Sequence, residues 1–345
     1  MAQGLKRAAT FWTDAGGVGK TTITSNVGDI LGSRGNDVLC IDLDPQHGGL
    51  TKFVGMEHLR TADEYNLLDV VFSDDRDLND IIVPGDHPEI NLGYDLIPSH
   101  RDLEDFAREI TAKYDGNPLM VIRRLITEAK LDKQYDYILV DVQGSRAQLV
   151  ANAIVSTRNV VAPIELSEKG AGSIEELESY IERQQKSLNR ELKAMGAGPA
   201  SLGIIGVIPY GLSHGTGNFA TLQNTEKDGL YSLHLKQKPV TPFGIPEAKA
   251  VSESLSNKVT LREFIERDDT RDLRDSSCEQ VILQRYKALA DLIEAGEIND
   301  LDGPYTAESV FRGYNGSLKN KEREEEILPD HLTDSTDNAQ PHSAD

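Results

Sequence analysis

The stretch from Ala8 to Thr22, AATFWTDAGGVGKTT, constrains this chain more than any other. A short apolar run (Ala8, Ala9, Phe11, Trp12) leads into adjacent glycines, Gly16 and Gly17. Val18, Gly19, Lys20, Thr21 and Thr22 follow and open a segment of helical pattern. Strand, glycine turn and helix in that order make a cradle for phosphate. Glycines let successive backbone N–H groups point at one anion, and the helix N-terminus adds partial positive charge. A lysine at position 20 can reach β- and γ-phosphates, and a hydroxyl at position 21 can ligate Mg²⁺. The general spacing asks for glycine at position 14, where Asp14 stands, so GGVGKTT matches a variant of the loop.

Ile23, Val27, Ile30 and Leu31 carry the helical spacing on to Ser33, and Arg34-Gly35-Asn36 stops it. Largely apolar runs recur at 37–43 (DVLCIDL), 94–99 (YDLIPS), 135–141 (YDYILVD), 159–166 (NVVAPIEL) and 202–210 (LGIIGVIPY). Such runs suit strands buried on both faces. Helices are expected at 103–109, 117–129, 173–192 and 278–295, the last stopped by Gly296. LLDVVF at 67–72 lies in a mixed stretch without an assignment, and 239–251 reads as a short strand, a proline-bounded loop and a helix from Glu247. The alternation predicts an α/β fold, a mainly parallel twisted sheet with helices on both faces. Ligands of such sheets bind beyond the carboxyl ends of the strands. Residues 14–22, 42–46, 141–145 and 209–210 should therefore converge on one edge. Residues 1–296 are expected to form one nucleotide-binding α/β domain, 297–315 a connecting segment, and 316–345 an acidic disordered tail that can bury almost nothing.

The 345-residue chain carries 57 acidic and 36 basic residues, a formal net charge of -21, which argues against a surface built wholly as a nucleic-acid footprint. A local basic patch remains compatible with that charge. So large an acidic excess also suits a salt-rich cytoplasm, where screening relieves self-repulsion. Full stability at low KCl would contradict that hypothesis. No run approaches the length of a membrane span, and the N-terminus lacks an apolar signal region. Two cysteines, Cys40 and Cys278, stand far apart without zinc or iron–sulfur spacing, so a reduced cytoplasm is the expected compartment.

Four acidic or hydroxyl-bearing positions belong with the loop. Thr21 is a hydroxyl ligand for Mg²⁺, and Asp141, ending YDYILV, is a carboxylate held near that metal. Asp42 and Asp44 end the second apolar run and could orient or deprotonate an attacking water, or hold the metal through water. AGGVGKTT with DLDPQ and YDYILVD resembles the ParA/MinD branch of P-loop NTPases, the deviant Walker-A ATPases, and YDLIPSHRDLEDFARE resembles the corresponding region of ParA (Soj-like) partition ATPases. The resemblance runs in order over roughly residues 6–295 and loosens after 200.

The resemblance implies an ATPase using ATP and Mg²⁺, with Gly16, Gly17, Val18, Gly19, Lys20, Thr21 and Thr22 as the phosphate cradle. It implies Lys20 and Asp44 as catalytic residues, Thr21, Asp42 and Asp141 around the metal, and Pro209–Tyr210 with the 242–248 loop near adenine. Family members form ATP-dependent homodimers, bind DNA non-specifically and respond to a ParB-like or other DNA-binding partner. A nucleoid-associated cytoplasmic protein without a membrane role is thus expected. One position departs from the family: the signature lysine before GGVGK is Ala15. Slow hydrolysis, a substitute cation, or ATP used mainly as a switch are all open. After Asp141, Val142-Gln143-Gly144-Ser145 replaces the usual proline pair, and Gln143 is either a positioning residue or plain loop. Arg262, Arg267, Arg271, Arg274, Arg285 and Lys287 are candidate DNA contacts, but their interleaved acids favour a solvated mixed-charge face. The competing functions are a MinD-like membrane positioner, which the acidic tail does not suit; a metallocluster carrier, which the cysteines do not suit; and a nucleotide-binding regulator with little or no hydrolysis.

Overall fold

The computed structural model describes residues 7–46, 49–61, 65–212, 222–241, 243–267 and 281–295. Among them seven strands run parallel: β1 (Ala8–Phe11), β2 (Val38–Asp42), β3 (Asp95–Ile97), β4 (Tyr137–Asp141), β5 (Asn159–Glu165), β6 (Gly203–Leu212) and β7 (Ile245–Pro246). Their spatial order is β3-β2-β4-β1-β5-β6-β7. The described helices are α1 (Lys20–Ser33), α2 (Leu50–Phe53), α3 (Leu67–Val71), α4 (Phe106–Lys113), α5 (Val121–Glu128), α6 (Leu131–Gln134), α7 (Gln148–Thr157), α8 (Glu168–Ala194), α9 (Asn224–Leu235), α10 (Lys249–Ser256), α11 (Leu261–Glu266) and α12 (Leu283–Ala295). The α/β fold is as expected.

Alternate residues of a strand point to opposite faces, and here both faces are covered. Ala8, Trp12, Leu39, Ile41, Ile138 and Val140 join one apolar cluster. Ala9, Phe11, Val38, Cys40, Tyr137 and Leu139 join the other. The first cluster lies under α5, α7 and α8, and the second under α1 and α12. Double burial is why these strands read as continuous apolar runs.

The register sets the site. Phe11 lies level with Asp141, and Asp141 lies level with Asp42 on the next strand. The carboxyl ends of β1, β2 and β4 therefore share one edge, beside the place where the order turns from β4–β1 to β5.

Several expectations need correction. Helix α8 begins at Glu168, five residues before the expected 173, because Ser167 caps it by accepting from Gly170 N at 3.1 Å. LLDVVF is helical over 67–71, held by a capping box in which Asn66 accepts from Leu68 N and Asp69 accepts from Asn66 N. Helix α7 falls where none was expected; nine of its ten residues are buried, and its polar positions Gln148, Asn152 and Ser156, four residues apart, are mostly buried too. Pro209 and Tyr210 do not follow a strand end, since β6 runs on to Leu212. In 239–251, Val240 makes only an isolated bridge to Val207, while the strand itself is Ile245–Pro246. Cys278, Arg271, Arg274, the 297–315 segment and the 316–345 tail lie outside the described residues.

Candidate functional site

The chain leaves β1 at Phe11, turns through residues 12–19 and enters α1 at Lys20. Gly17 and Gly19 hold φ of 74° and 79°, a region that costs a residue with Cβ. Gly19 has a second reason to be glycine, because a Cβ there would stand 2.3 Å from the Tyr210 ring. No acidic residue of α1 itself occupies its first turn.

Lys20 is buried, and its Nζ donates to the Ala15 carbonyl at 2.7 Å. Burial lowers the affinity of this ammonium for its proton, opposed by the charges of Asp141, Asp44 and Asp14. Thr21 Oγ1 donates to Asp141 Oδ2 at 2.7 Å. Asp141 is wholly buried, and its other oxygen, Oδ1, has no hydrogen-bond partner. Burial first, then repulsion from Asp42, pushes the Asp141 carboxyl well above the usual range, with the Thr21 hydrogen bond opposing. A buried carboxylate with an unpartnered oxygen beside a threonine hydroxyl offers hard oxygen donors of the kind Mg²⁺ prefers.

Asp42 is equally buried but its oxygens are occupied. Oδ1 accepts from Asp44 N at 2.9 Å, while Oδ2 accepts from Thr51 N at 2.6 Å and Thr51 Oγ1 at 2.7 Å. Burial nonetheless pushes it up to about 6, against those hydrogen bonds. Asp44 is only partly buried, and its carboxyl is raised by desolvation. Its Oδ1 accepts from Gln46 N at 2.8 Å. The Asp44 carbonyl is held from behind by Ser99 Oγ at 2.6 Å and by Arg60 Nη1 at 3.3 Å, and Arg60 also donates to the Pro45 carbonyl.

The loop after β4 presses against residues 12–15. Trp12 Nε1 donates to the Ser145 carbonyl at 3.0 Å, and Arg146 Nε donates to Asp14 Oδ2 at 2.7 Å while its Nη2 reaches Glu176 at 3.0 Å. A Cβ on Gly144 would lie 2.9 Å from the Asp14 carbonyl oxygen.

One pocket of about 590 Å³ is lined by Gly16, Gly17, Gly19, Lys20, Thr21, Thr22, Asp44 and Gly144, together with Lys52, Phe53, Tyr210, Leu255, Ser256 and Lys258. The structure thus brings together most of the expected cradle with Thr21, Asp44 and Asp141. Val18, Pro209, Gln143 and the described part of 242–248 are not among the lining residues. Sequence reasoning missed Arg60, Ser99 and the wall from α10 and its turn. Only the buried polar character of Ser99 and Arg60, invisible in one dimension, marks them out.

The basic residues proposed for DNA divide. Arg262 Nε and Nη2 donate to the buried Asp29, both at 2.8 Å, and Arg267 pairs with Glu263 at 2.7 Å. Arg285 stacks 5.7 Å from the Phe243 ring centroid. These are internal attachments, in line with a mixed-charge face. Among the described residues no cluster of three or more His, Cys, Asp or Glu could hold a metal, and no helix is long and apolar enough to cross a membrane.

A family model for an AAA domain matches residues 7–194. The sporulation initiation inhibitor protein Soj of Bacillus subtilis is 30% identical over 181 residues, 52% of this chain and 67% of Soj. The "Probable plasmid-partitioning protein ParA" of Thermus thermophilus is 32% identical over 182 residues, 53% of this chain and 51% of that protein. The chain therefore spans about half to two thirds of the length of these relatives. Apo McdA of Cyanothece shares the fold, with a TM-score of 0.58 at 22% identity over 81% of this chain and 99% of the other.

Proposed function

Because the chain belongs to the AAA-domain family of ParA/MinD-type P-loop ATPases, we propose that it is an ATP-dependent partition switch. It binds ATP with Mg²⁺, dimerises, holds DNA without sequence preference and hydrolyses ATP to segregate a plasmid or chromosome, in concert with a ParB-like or other DNA-binding partner. The observation that carries this reading is the hydrogen bond from Thr21, which lines the pocket with the glycine turn and Asp44, to the buried Asp141 with its unpartnered Oδ1.

In this reading the backbone N–H groups of residues 16–22 and Lys20 Nζ bind the phosphates, which draws Lys20 off the Ala15 carbonyl. Thr21 and Asp141 would hold Mg²⁺, which when bound neutralises phosphate charge. Asp42 keeps the 42–51 turn in place through its three hydrogen bonds and touches the metal through water at most. Asp44 orients the attacking water and accepts its proton as the water oxygen bonds to the γ-phosphorus and ADP leaves. Its partial burial makes it a stronger base than an exposed carboxylate. Ser99 and Arg60 hold the carbonyl of Asp44 and so fix its backbone. The reading with little or no hydrolysis draws on Ala15, which offers no cation to a neighbouring subunit.

Size determination and DNA retention with ATP, ADP or no nucleotide, alongside single-turnover hydrolysis, test this. A dimer and DNA complex formed with ATP and lost with ADP or in Lys20→Ala, with phosphate release, is the expected result. ATP-dependent dimers without phosphate release favour the regulator. DNA retention that ignores the nucleotide contradicts the switch.

A further inference from the structure

The phosphate cradle is poorly balanced in charge. The charges of Asp141, Asp44 and Asp14 act on one lysine, Lys20, and a polyphosphate adds further negative charge. Position 15 supplies only a carbonyl, on which Lys20 rests. Four other cations stand near, and three are engaged. Arg60 is buried and donates to the carbonyls of Asp44 and Pro45. Arg146 lies between the carboxylates of Asp14 and Glu176. Lys258 lines the pocket but pairs with Glu57 at 2.9 Å.

The fourth is Lys52. It is exposed, lines the same pocket as Gly16, Gly17 and Lys20, and among the described residues makes no direct ion pair, its charge reaching only Glu57, which Lys258 already holds. Its position is fixed by its neighbours. Thr51 donates twice to Asp42 and accepts from Ser99 N at 2.8 Å, and Phe53 is buried. The short helix α2 is therefore anchored to the carboxylate that ends β2. It presents Lys52 to the pocket from a backbone held in register with Asp44.

We propose that Lys52 is a phosphate-binding residue whose ammonium, from the same subunit, contacts the polyphosphate of a bound nucleoside triphosphate and supplies the positive charge that Lys20 alone does not. This rests on the nucleotide-binding reading above. A lysine suits the role because its ammonium is a compact charge on a flexible four-carbon stem and can follow a terminal phosphate. A charged hydrogen bond of this kind is worth about ten- to a hundredfold in affinity.

The test is calorimetric titration of Mg·ATP and Mg·ADP into the full chain at low and high KCl, for wild type, Lys52→Ala, Lys52→Arg and Lys20→Ala. Lys186→Ala, an exposed lysine of α8, serves as the charge control. Lys52→Ala should bind Mg·ATP about ten- to a hundredfold more weakly, lose less toward Mg·ADP, and show a flatter dependence on KCl. Lys52→Arg should stay within about threefold of wild type, since the charge is kept, and Lys186→Ala should match wild type. Unchanged Mg·ATP affinity in Lys52→Ala overturns the proposal, as does weaker affinity with an unchanged salt dependence. Failure of the nucleotide reading itself has a different signature, Lys20→Ala binding as tightly as wild type.

Discussion

At the scale of single residues, Asp141 concentrates the electrostatic stress of the site. It is buried beside Asp42, and only one of its oxygens is partnered. A carboxyl raised in the folded state holds a proton that the unfolded chain has already released. Stability therefore falls as pH rises from the ordinary carboxylate range through the folded value, which is about 6 for Asp42. In metal-free protein, Asp141→Asn should raise the melting temperature at pH 8, because it removes one buried charge and can keep the Thr21 contact. The gap should narrow as the pH falls, because the raised wild-type carboxyl takes up a proton. The same variant should lose the extra stabilisation that Mg²⁺ adds to nucleotide. A melting series over pH, with and without Mg²⁺, reads both effects; a variant less stable than wild type at pH 8 contradicts this account of Asp141. Lys20, Thr21 and Asp141 were legible in the sequence because a glycine turn and an apolar strand end announce them within a few positions. Ser99 and Arg60 were not, because they meet the Asp44 carbonyl across 55 and 16 residues.

At the scale of elements, the nucleotide-loop helix is tied to the last third of the chain. Asn26 and Asp29 of α1 receive Leu261 N, Thr260 Oγ1 and the Arg262 guanidinium from the start of α11, and Asp29 also accepts from Gly93 N at 2.8 Å. Removing one partner of a buried ion pair leaves the other uncompensated. Arg262→Ala should thus cost about 3 kcal/mol of stability in urea unfolding. A loss confined to DNA binding, with stability unchanged, would instead make Arg262 the surface contact it resembles in sequence. The hidden elements have physical reasons too. Helix α7 does carry Gln148, Asn152 and Ser156 at helical spacing, but in only ten residues, nine of them buried. Helix α3 is five residues long, and its only marker is the Asn66–Asp69 box.

At the scale of the whole molecule, the matched family segment ends at residue 194, yet the pocket does not belong to that segment alone. Its glycine turn, Asp44 and Gly144 follow β1, β2 and β4, and it is also lined by Tyr210, Leu255, Ser256 and Lys258. The sequence beyond 200 was the least legible because its strand, β7, is two residues long and its short helices follow no long periodic run. Under the proposed function, a nucleotide in this pocket would also meet the end of α10 and the turn after it. The most direct measurement is calorimetric titration of Mg·ATP into the full chain and into Lys20→Ala, each with Mg²⁺ present and chelated. The account predicts saturable binding by wild type that weakens without Mg²⁺ and is lost in Lys20→Ala. Equal binding by the two proteins, or by wild type with and without Mg²⁺, would contradict it.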